Sequence, residues 1–313
     1  MFEYTKYELD ELSRKTQFMF GPLEKALRLI DILRTFNSHP VLKDQFVLKG
    51  GTALNLFYLD VPRLSVDVDL NFIGELEREP SLRARQNIEV IIPAVFSGEY
   101  KVECSRSSYA NLQYKLSYIT LHGGGDALKL DINFLERITI LDKNILEFDK
   151  WGENLTFPNL NLIELLTGKT RAFLTRYTAR DLYDLYRINK LQIEFDHGVL
   201  HELFLYALLT ASESYSDLFP PKWEEISSAD VVRNLHPMLI RGDDPKVNSM
   251  KDGARHILKH MIYLNETEIE IIEQFYTKGE IKLDSLFEDS LVERVSKSPA
   301  FQWKKKNLKR LSS

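Results

Sequence analysis

Only one cysteine, Cys104, occurs in the 313 residues. Without a second thiol no intramolecular disulfide can form, and zinc sites assembled from cysteines are excluded. Long apolar runs are missing too. No stretch reaches 18 apolar residues and mean hydropathy is −0.25, so no membrane-spanning helix and no membrane partner are expected. The start, MFEYTKYELDELSRK, carries charges where a signal peptide has an apolar segment, and a cytoplasmic location is expected. Neither sign of charge dominates: 41 Lys and Arg against 46 Asp and Glu leave a net charge of −5. That excludes a global pull on nucleic acid but not a local basic groove, because phosphate binding needs only a patch. Internal repeats and low-complexity tracts are also lacking.

What the chain does have is core-forming material. It is 44% hydrophobic, with 18 Phe and 14 Tyr, far more aromatic than a disordered chain. At 36.5 kDa it is long enough for two domains. Residues 9–36 read as a helix, with Leu23, Leu27, Ile30 and Leu33 on one face and Pro22 early, where proline is tolerated. FVLKGG then reads as a short buried strand ending in two glycines, with a helix over 52–59 starting directly after it. A strand over 61–73, a helix over 81–96 and strands near 100–106, 111–121 and 127–134 follow, the last two joined by the turn HGGGD. From about residue 159 the pattern is helical, over 160–175, 178–190, 198–216, 246–263, 266–277 and 287–296.

The most informative stretch runs from Lys49 to Asn71. In VDVDLN the side chains alternate, so Val66, Val68 and Leu70 share one face while Asp67, Asp69 and Asn71 share the other. Two carboxylates on one face repel each other unless a cation sits with them, and a divalent cation takes oxygen ligands. An exposed strand face with ordinary acids has the same pattern. Upstream, Gly50 and Gly51 precede a helix, and glycine lets backbone N–H groups at a helix start approach a phosphate closely. Thr52 suits the N-cap position and has a hydroxyl to donate. In LKLDINF, Lys129, Asp131 and Asn133 share the polar face. If that strand lies beside VDVDLN, Asp131 completes a three-carboxylate cluster able to hold two Mg²⁺ ions for in-line phosphoryl displacement.

These residues carry a resemblance. KGGTALNLFYLDVPRLSVDVDLNF resembles the first motif of the AbiEii/AbiGii (MenT-like) toxin family, a branch of the DNA polymerase β-like nucleotidyltransferase superfamily. The matching residues are Gly50, Gly51, Thr52, Arg63, Ser65, Asp67 and Asp69. ELLTGKTRAFLTRYTARDLYDLY is similar to the family's second signature, through Lys169, Arg180, Asp181 and Asp184. The resemblance implies an α+β chain. A mixed-sheet nucleotidyltransferase domain over 1–155, preceded by an amino-terminal helix, would be followed by a mainly helical domain over 156–313. It implies a metal-dependent toxin of a type IV toxin–antitoxin or phage-defence system, with a cognate antitoxin encoded nearby. The reaction would move nucleotides from an NTP to an RNA, with the tRNA 3′ end as acceptor. Asp67, Asp69 and Asp131 would hold two Mg²⁺ ions. Lys49, Gly50, Gly51, Thr52, Arg63, Ser65 and Lys169 would bind the nucleotide. Asp181 or Asp184 would orient Lys169 or the acceptor.

By physics alone, Lys169, Arg171, Arg176 and Arg180 make a helix with a basic flank, and a solvated face would look the same. An ammonium is nevertheless a suitable point charge for phosphate. Asp181 and Asp184 share a helix face, where Arg180 and Arg187 can pair with them. Transfer onto a small molecule or protein is an alternative, as is a non-catalytic nucleotide- or RNA-binding module. His256 and His260 stand four apart, as a zinc pair would, but no third ligand or HExxH pattern accompanies them. The tail WKKKNLKRLSS has five basic residues and no acid, which suits an RNA backbone, an acidic partner or a solvated end.

Overall fold

A computed structural model describes residues 2–312, with side chains to residue 310. Met1 and Ser313, the ends of two segments read above, lie outside the described residues. The chain forms two compact units. Unit one comprises Met1–Arg137, Lys143–Leu160 and His236–Asp243; unit two comprises Ile138–Asp142, Asn161–Leu235 and Asp244–Ser313.

Unit one opens with two helices, α1 (Lys6–Thr16) and α2 (Phe20–Ser38), where the periodicity over 9–36 predicts one. Thr5 and Glu8 form a reciprocal capping box at the start of α1, and Gln17 ends it in the left-handed conformation at φ 62°. The break turns Phe18 into the core, where its carbonyl accepts the Ser13 hydroxyl at 2.6 Å. Helix α2 buries Leu23, Leu27, Ile30 and Leu33, the face that their spacing predicts.

Next come β1 (Phe46–Leu48), the helical turn α3 (Gly50–Thr52), which runs on into a π-helical segment (Ala53–Tyr58), and β2 (Asp67–Phe72). The expected strand over 61–73 is therefore shorter. Asp60 and Val61 both have positive φ, and Pro62 has no N–H for a ladder. Leu64 instead donates to the Met238 carbonyl at 2.8 Å, and Arg63 bridges Leu239. Helix α4 (Arg78–Phe96) leads to β3 (Lys101–Ser107), β4 (Asn111–Ile119) and β5 (Gly125–Asn133). The β4–β5 turn uses Gly123 and Gly124 at φ 84° and 90°, the hairpin expected of the triple glycine.

A second hairpin, β6 (Asn144–Lys150) and β7 (Glu153–Asn159), escapes the sequence reading. Its turn is Trp151–Gly152, both at positive φ, and β6 buries fully only Phe148, so alternation is weak. Among the described residues seven strands form one mixed sheet, ordered β3-β4-β5-β2-β1-β7-β6. The β2–β5 and β1–β7 pairs are parallel; the other neighbours are antiparallel. One face packs Val68 and Leu70 with Leu130, Ile132, Leu112 and Tyr114, all at most 1% exposed. A row of rings, Phe36, Phe46, Phe72 and Phe134, joins α2 to this face at centroid spacings of 5.0, 5.9 and 5.1 Å.

Unit two is helical. It contains α5 (Leu162–Arg176), α6 (Ala179–Lys190), α7 (His197–Thr210), the short α8 (Tyr215–Leu218) and α9 (Ser228–Asp230), then α10 (Val247–Leu258), α11 (Glu266–Lys278), α12 (Asp289–Lys297) and α13 (Pro299–Ser312). Caps fix the boundaries: Asn161, Thr178, Asp196 and Asn265 accept N–H bonds at the starts of α5, α6, α7 and α11. The basic tail is helix α13 rather than a frayed end, anchored by Phe301 stacked on Phe275 at 5.6 Å. Among the described residues no helix is long and apolar enough to cross a membrane.

Phe72 is 0% exposed between two rings. Phe72→Ala should therefore cost about 3–5 kcal/mol, read as a lowered urea midpoint.

Candidate functional site

The polar centre of unit one begins with a glycine turn. Gly50 has φ 70°, a conformation L side chains rarely adopt, and a Cβ there would overlap the Asp69 carboxylate. A Cβ on Gly51 would meet the Arg63 guanidinium at 2.9 Å and the Ser65 hydroxyl at 3.1 Å. The turn thus runs between Asp69 on one side and Arg63 with Ser65 on the other. Main-chain bonds lock it, with Lys49 N–H donating to the Asp69 carbonyl at 2.9 Å. The Thr52 hydroxyl donates to the Asp67 carbonyl at 2.6 Å. Thr52 is therefore not the N-cap expected of it. The cap position is Lys49, the helix starts at Gly50, and Thr52 is fully buried inside it. Arg63 is 2% exposed and donates to the Leu64 carbonyl at 2.8 Å. Asn55, which the sequence does not single out, donates to the Gly51 carbonyl at 2.8 Å.

The sheet register places the carboxylates. Asp67 and Asp69 lie on the half-buried polar face of β2, while Val68 and Leu70 fill the core. Parallel pairing sets Asp69 beside Asp131 and Asp67 beside Lys129. The conditional neighbour of VDVDLN is thus its direct partner strand. Burial pushes the Asp69 carboxyl above its usual range, and Asp67 and Asp131 push the same way, against Lys49 and Lys129. Both oxygens of Asp131 have donors: Lys129 Nζ at 2.5 Å and Gln113 Nε2 at 2.7 Å. Lys49 Nζ lies 3.2 Å from Glu136, which also accepts from Asn71 at 3.0 Å. Glu136 and Gln113 are missed by motif reading, and Lys129 is read there only as sharing the polar face of Asp131. Gln113 is recoverable from strand alternation once the pairing is known.

Three carboxylates with Lys129 and Lys49 as counter-charges are an oxygen donor set of the kind a hard divalent cation takes. Asp67 and Asp69 share one face and Asp131 is the register neighbour of Asp69, so the residue types are those a divalent cation takes. Among the described residues no group of three or more His, Cys, Asp or Glu converges in metal-holding geometry, and Asp131 is turned to Lys129 and Gln113.

Unit two has its own charged cluster. Lys169 on α5 is 7% exposed, and its Nζ lies 2.9 Å from Asp181 and 2.9 Å from Asp184 on α6. It is therefore not part of a solvated basic flank. Asp181 also accepts Arg176 Nε at 2.6 Å and the Thr178 hydroxyl at 2.7 Å. Asp181 thus pairs with Lys169 and Arg176, where the spacing on α6 offers Arg180 and Arg187. Burial alone would raise the Asp181 carboxyl, but Lys169 and Arg176 outweigh it and hold the group well below the usual carboxylate range. Three residues apart, Asp181 and Asp184 share one helix face, as expected, and that face meets Lys169.

Comparison with known proteins follows the same lines. Residues 31–267 match the family described as "Nucleotidyl transferase AbiEii toxin, Type IV TA system". The fold is similar to that of MenT4, a nucleotidyltransferase toxin from Mycobacterium tuberculosis H37Rv, with a TM-score of 0.57 and 18% identity over 93% of this chain and 98% of that one. JHP933 from Helicobacter pylori is 18% identical over 82% of this chain and 94% of that chain, with a TM-score of 0.45. No curated protein sequence matches the chain. The expected α+β, mixed-sheet architecture is borne out.

Gly50→Ala forces a Cβ into a left-handed position against Asp69 and should cost about 1–3 kcal/mol. Gly98→Ala, with nothing within 4 Å, should be close to neutral in the same thermal melts. The stability that Asp181 draws from its cations is complete above the ordinary Asp pKa of about 3.9 and is lost as pH falls below it toward the depressed folded value. Urea unfolding across this range should show a shallower acid decline for Asp181→Asn, with lower stability at neutral pH.

Proposed function

The chain belongs to the AbiEii family of nucleotidyltransferase toxins of type IV toxin–antitoxin systems, and we propose that it moves a nucleotide from an NTP onto the 3′ end of a tRNA in a Mg²⁺-dependent reaction. Membership makes it a nucleotidyltransferase with an NTP substrate and an antitoxin partner. The observation that carries the finer reading is the joining of both halves of the first motif: the Gly50–Gly51 turn lies directly against Asp69.

In this reading Gly50 and Gly51 offer N–H groups, with no side chain in the way, to the β- and γ-phosphates. Thr52, Arg63 and Ser65 hold that turn in shape, through the Asp67 carbonyl and the packing on Gly51. Lys49, beside Asp69 and Glu136, adds positive charge near the phosphates. Asp67 and Asp69, with Asp131 beside them, would hold Mg²⁺, which would supply charge neutralisation at the triphosphate. Asp131, held by Gln113 and Lys129, accepts the proton of the acceptor 3′ hydroxyl as its oxygen bonds to the α-phosphorus. The bond from that phosphorus to the bridging oxygen breaks, and pyrophosphate leaves. Most of the catalysis is positioning and charge stabilisation. Within unit two, Asp181 and Asp184 hold the buried Lys169 ammonium in one place and balance its charge. A nucleotide added to the 3′ end covers the hydroxyl that takes an amino acid, the proposed basis of toxicity and of abortive infection.

Purified protein with Mg²⁺, total tRNA and each of four labelled NTPs in turn tests this. Label should enter tRNA with a preferred NTP. It should fall at least about a hundredfold in a folded Asp69→Ala protein and disappear with EDTA. Full transfer by folded Asp69→Ala would end the reading, and label on a small molecule or protein instead of tRNA would replace the acceptor.

A further inference from the structure

Asp67, Lys129 and Lys115 are consecutive register partners across β2, β5 and β4. One level along the strands, Asp69, Asp131 and Gln113 are the partners. All six side chains belong to one face, because partners across a ladder point the same way. That face continues past Asp131 as open sheet, with Lys129 and Lys115 exposed and Gln113 half-buried. Lys129 leans on Asp131. Lys115 has Glu103 as its neighbour on β3, a carboxylate it shares with Lys101, whose Nζ lies 2.6 Å from Glu103 Oε1.

Lys115 and Lys129 are thus directly opposed cations on antiparallel strands. An anion placed between them would accept charge-assisted hydrogen bonds from both. We propose that Lys115 and Lys129 form a phosphate-binding step on which the backbone of the RNA acceptor lies as its 3′ hydroxyl reaches the carboxylates. This rests on the nucleotidyltransferase reading above and adds the acceptor's path. Sheet order favours the acceptor over the NTP as the source of the phosphate. The glycine turn follows β1, on one side of β2, whereas the lysines stand on β5 and β4, on its other side. A donor at the turn and an acceptor over the lysines approach the β2 carboxylates from opposite directions. The Ser105 hydroxyl donates to Gln113 Oε1 at 3.1 Å, and Gln113 donates to Asp131, so the strand that carries the acceptor also fixes the group meeting its hydroxyl.

The test is Lys115→Ala in the full chain, with total tRNA and the preferred NTP. Its thermal midpoint should stay close to that of wild type, because Lys115 is exposed. The KM for tRNA should rise roughly three- to tenfold, with the effect falling on tRNA rather than on NTP, and the salt dependence of tRNA binding should weaken by about one phosphate contact. A rise in the KM for NTP instead would assign the lysines to the triphosphate and overturn the acceptor path. Fluorescence anisotropy with tRNA and no NTP separates this inference from the reading it rests on. Wild type that binds tRNA without transferring to it overturns the transfer reading alone. Lys115→Ala binding tRNA as tightly as wild type overturns the step alone.

Discussion

Where Gly50 meets Asp69 there is no room for a Cβ, and the polar face of unit one is arranged around that close approach. The short strand β1 pairs antiparallel with β2, so the chain leaving Leu48 arrives over the middle of β2. Lys49 then bonds the Asp69 carbonyl, and Thr52 bonds the Asp67 carbonyl two residues away. Backbone pairing and side-chain hydroxyl together clamp the turn to the strand that bears the acids. Any side chain on Gly50 would push the two apart. The same register continues through β5, so placing the turn also places Asp131 and Lys129.

The two units use carboxylates in opposite ways. In unit one Asp67, Asp69 and Asp131 sit together, and burial and mutual repulsion raise the Asp69 carboxyl. Such a cluster stores an electrostatic cost that cationic ligands relieve. In unit two Asp181 is buried as well, yet Lys169 and Arg176 hold it charged. There the cost is offset inside the protein, and breaking the cluster would leave a buried charge uncompensated. The triad therefore ties α5 to α6 whatever else Lys169 does.

Much of this was legible before any coordinates. Alternation in VDVDLN and LKLDINF marks the polar and core faces of β2 and β5, and these are the faces observed. The spacing of Asp181 and Asp184 places both on one helix face. Other features resisted. The break at Gln17 interrupts a pattern whose apolar period runs on, because the next helix is set by where Phe18 is buried. Strand β6 buries only Phe148, so its ladder pairing with β7 carries it rather than its own pattern. Glu136 and Gln113 lie outside any motif and matter only through the partners that the fold brings to them.

By itself, the sequence determined whatever depends on neighbours along the chain: alternating faces, helix caps, the glycine turn, the two motifs and hence the family. Tertiary structure alone decided which strands pair, in what register, and which charge meets which. Local preferences act over a few residues, whereas Asp69 meets Asp131 across a gap of some sixty residues, and Lys115 meets Lys129 because a hairpin folds back. Such contacts follow from burying one face of the sheet as a whole, and no short stretch of the chain encodes that.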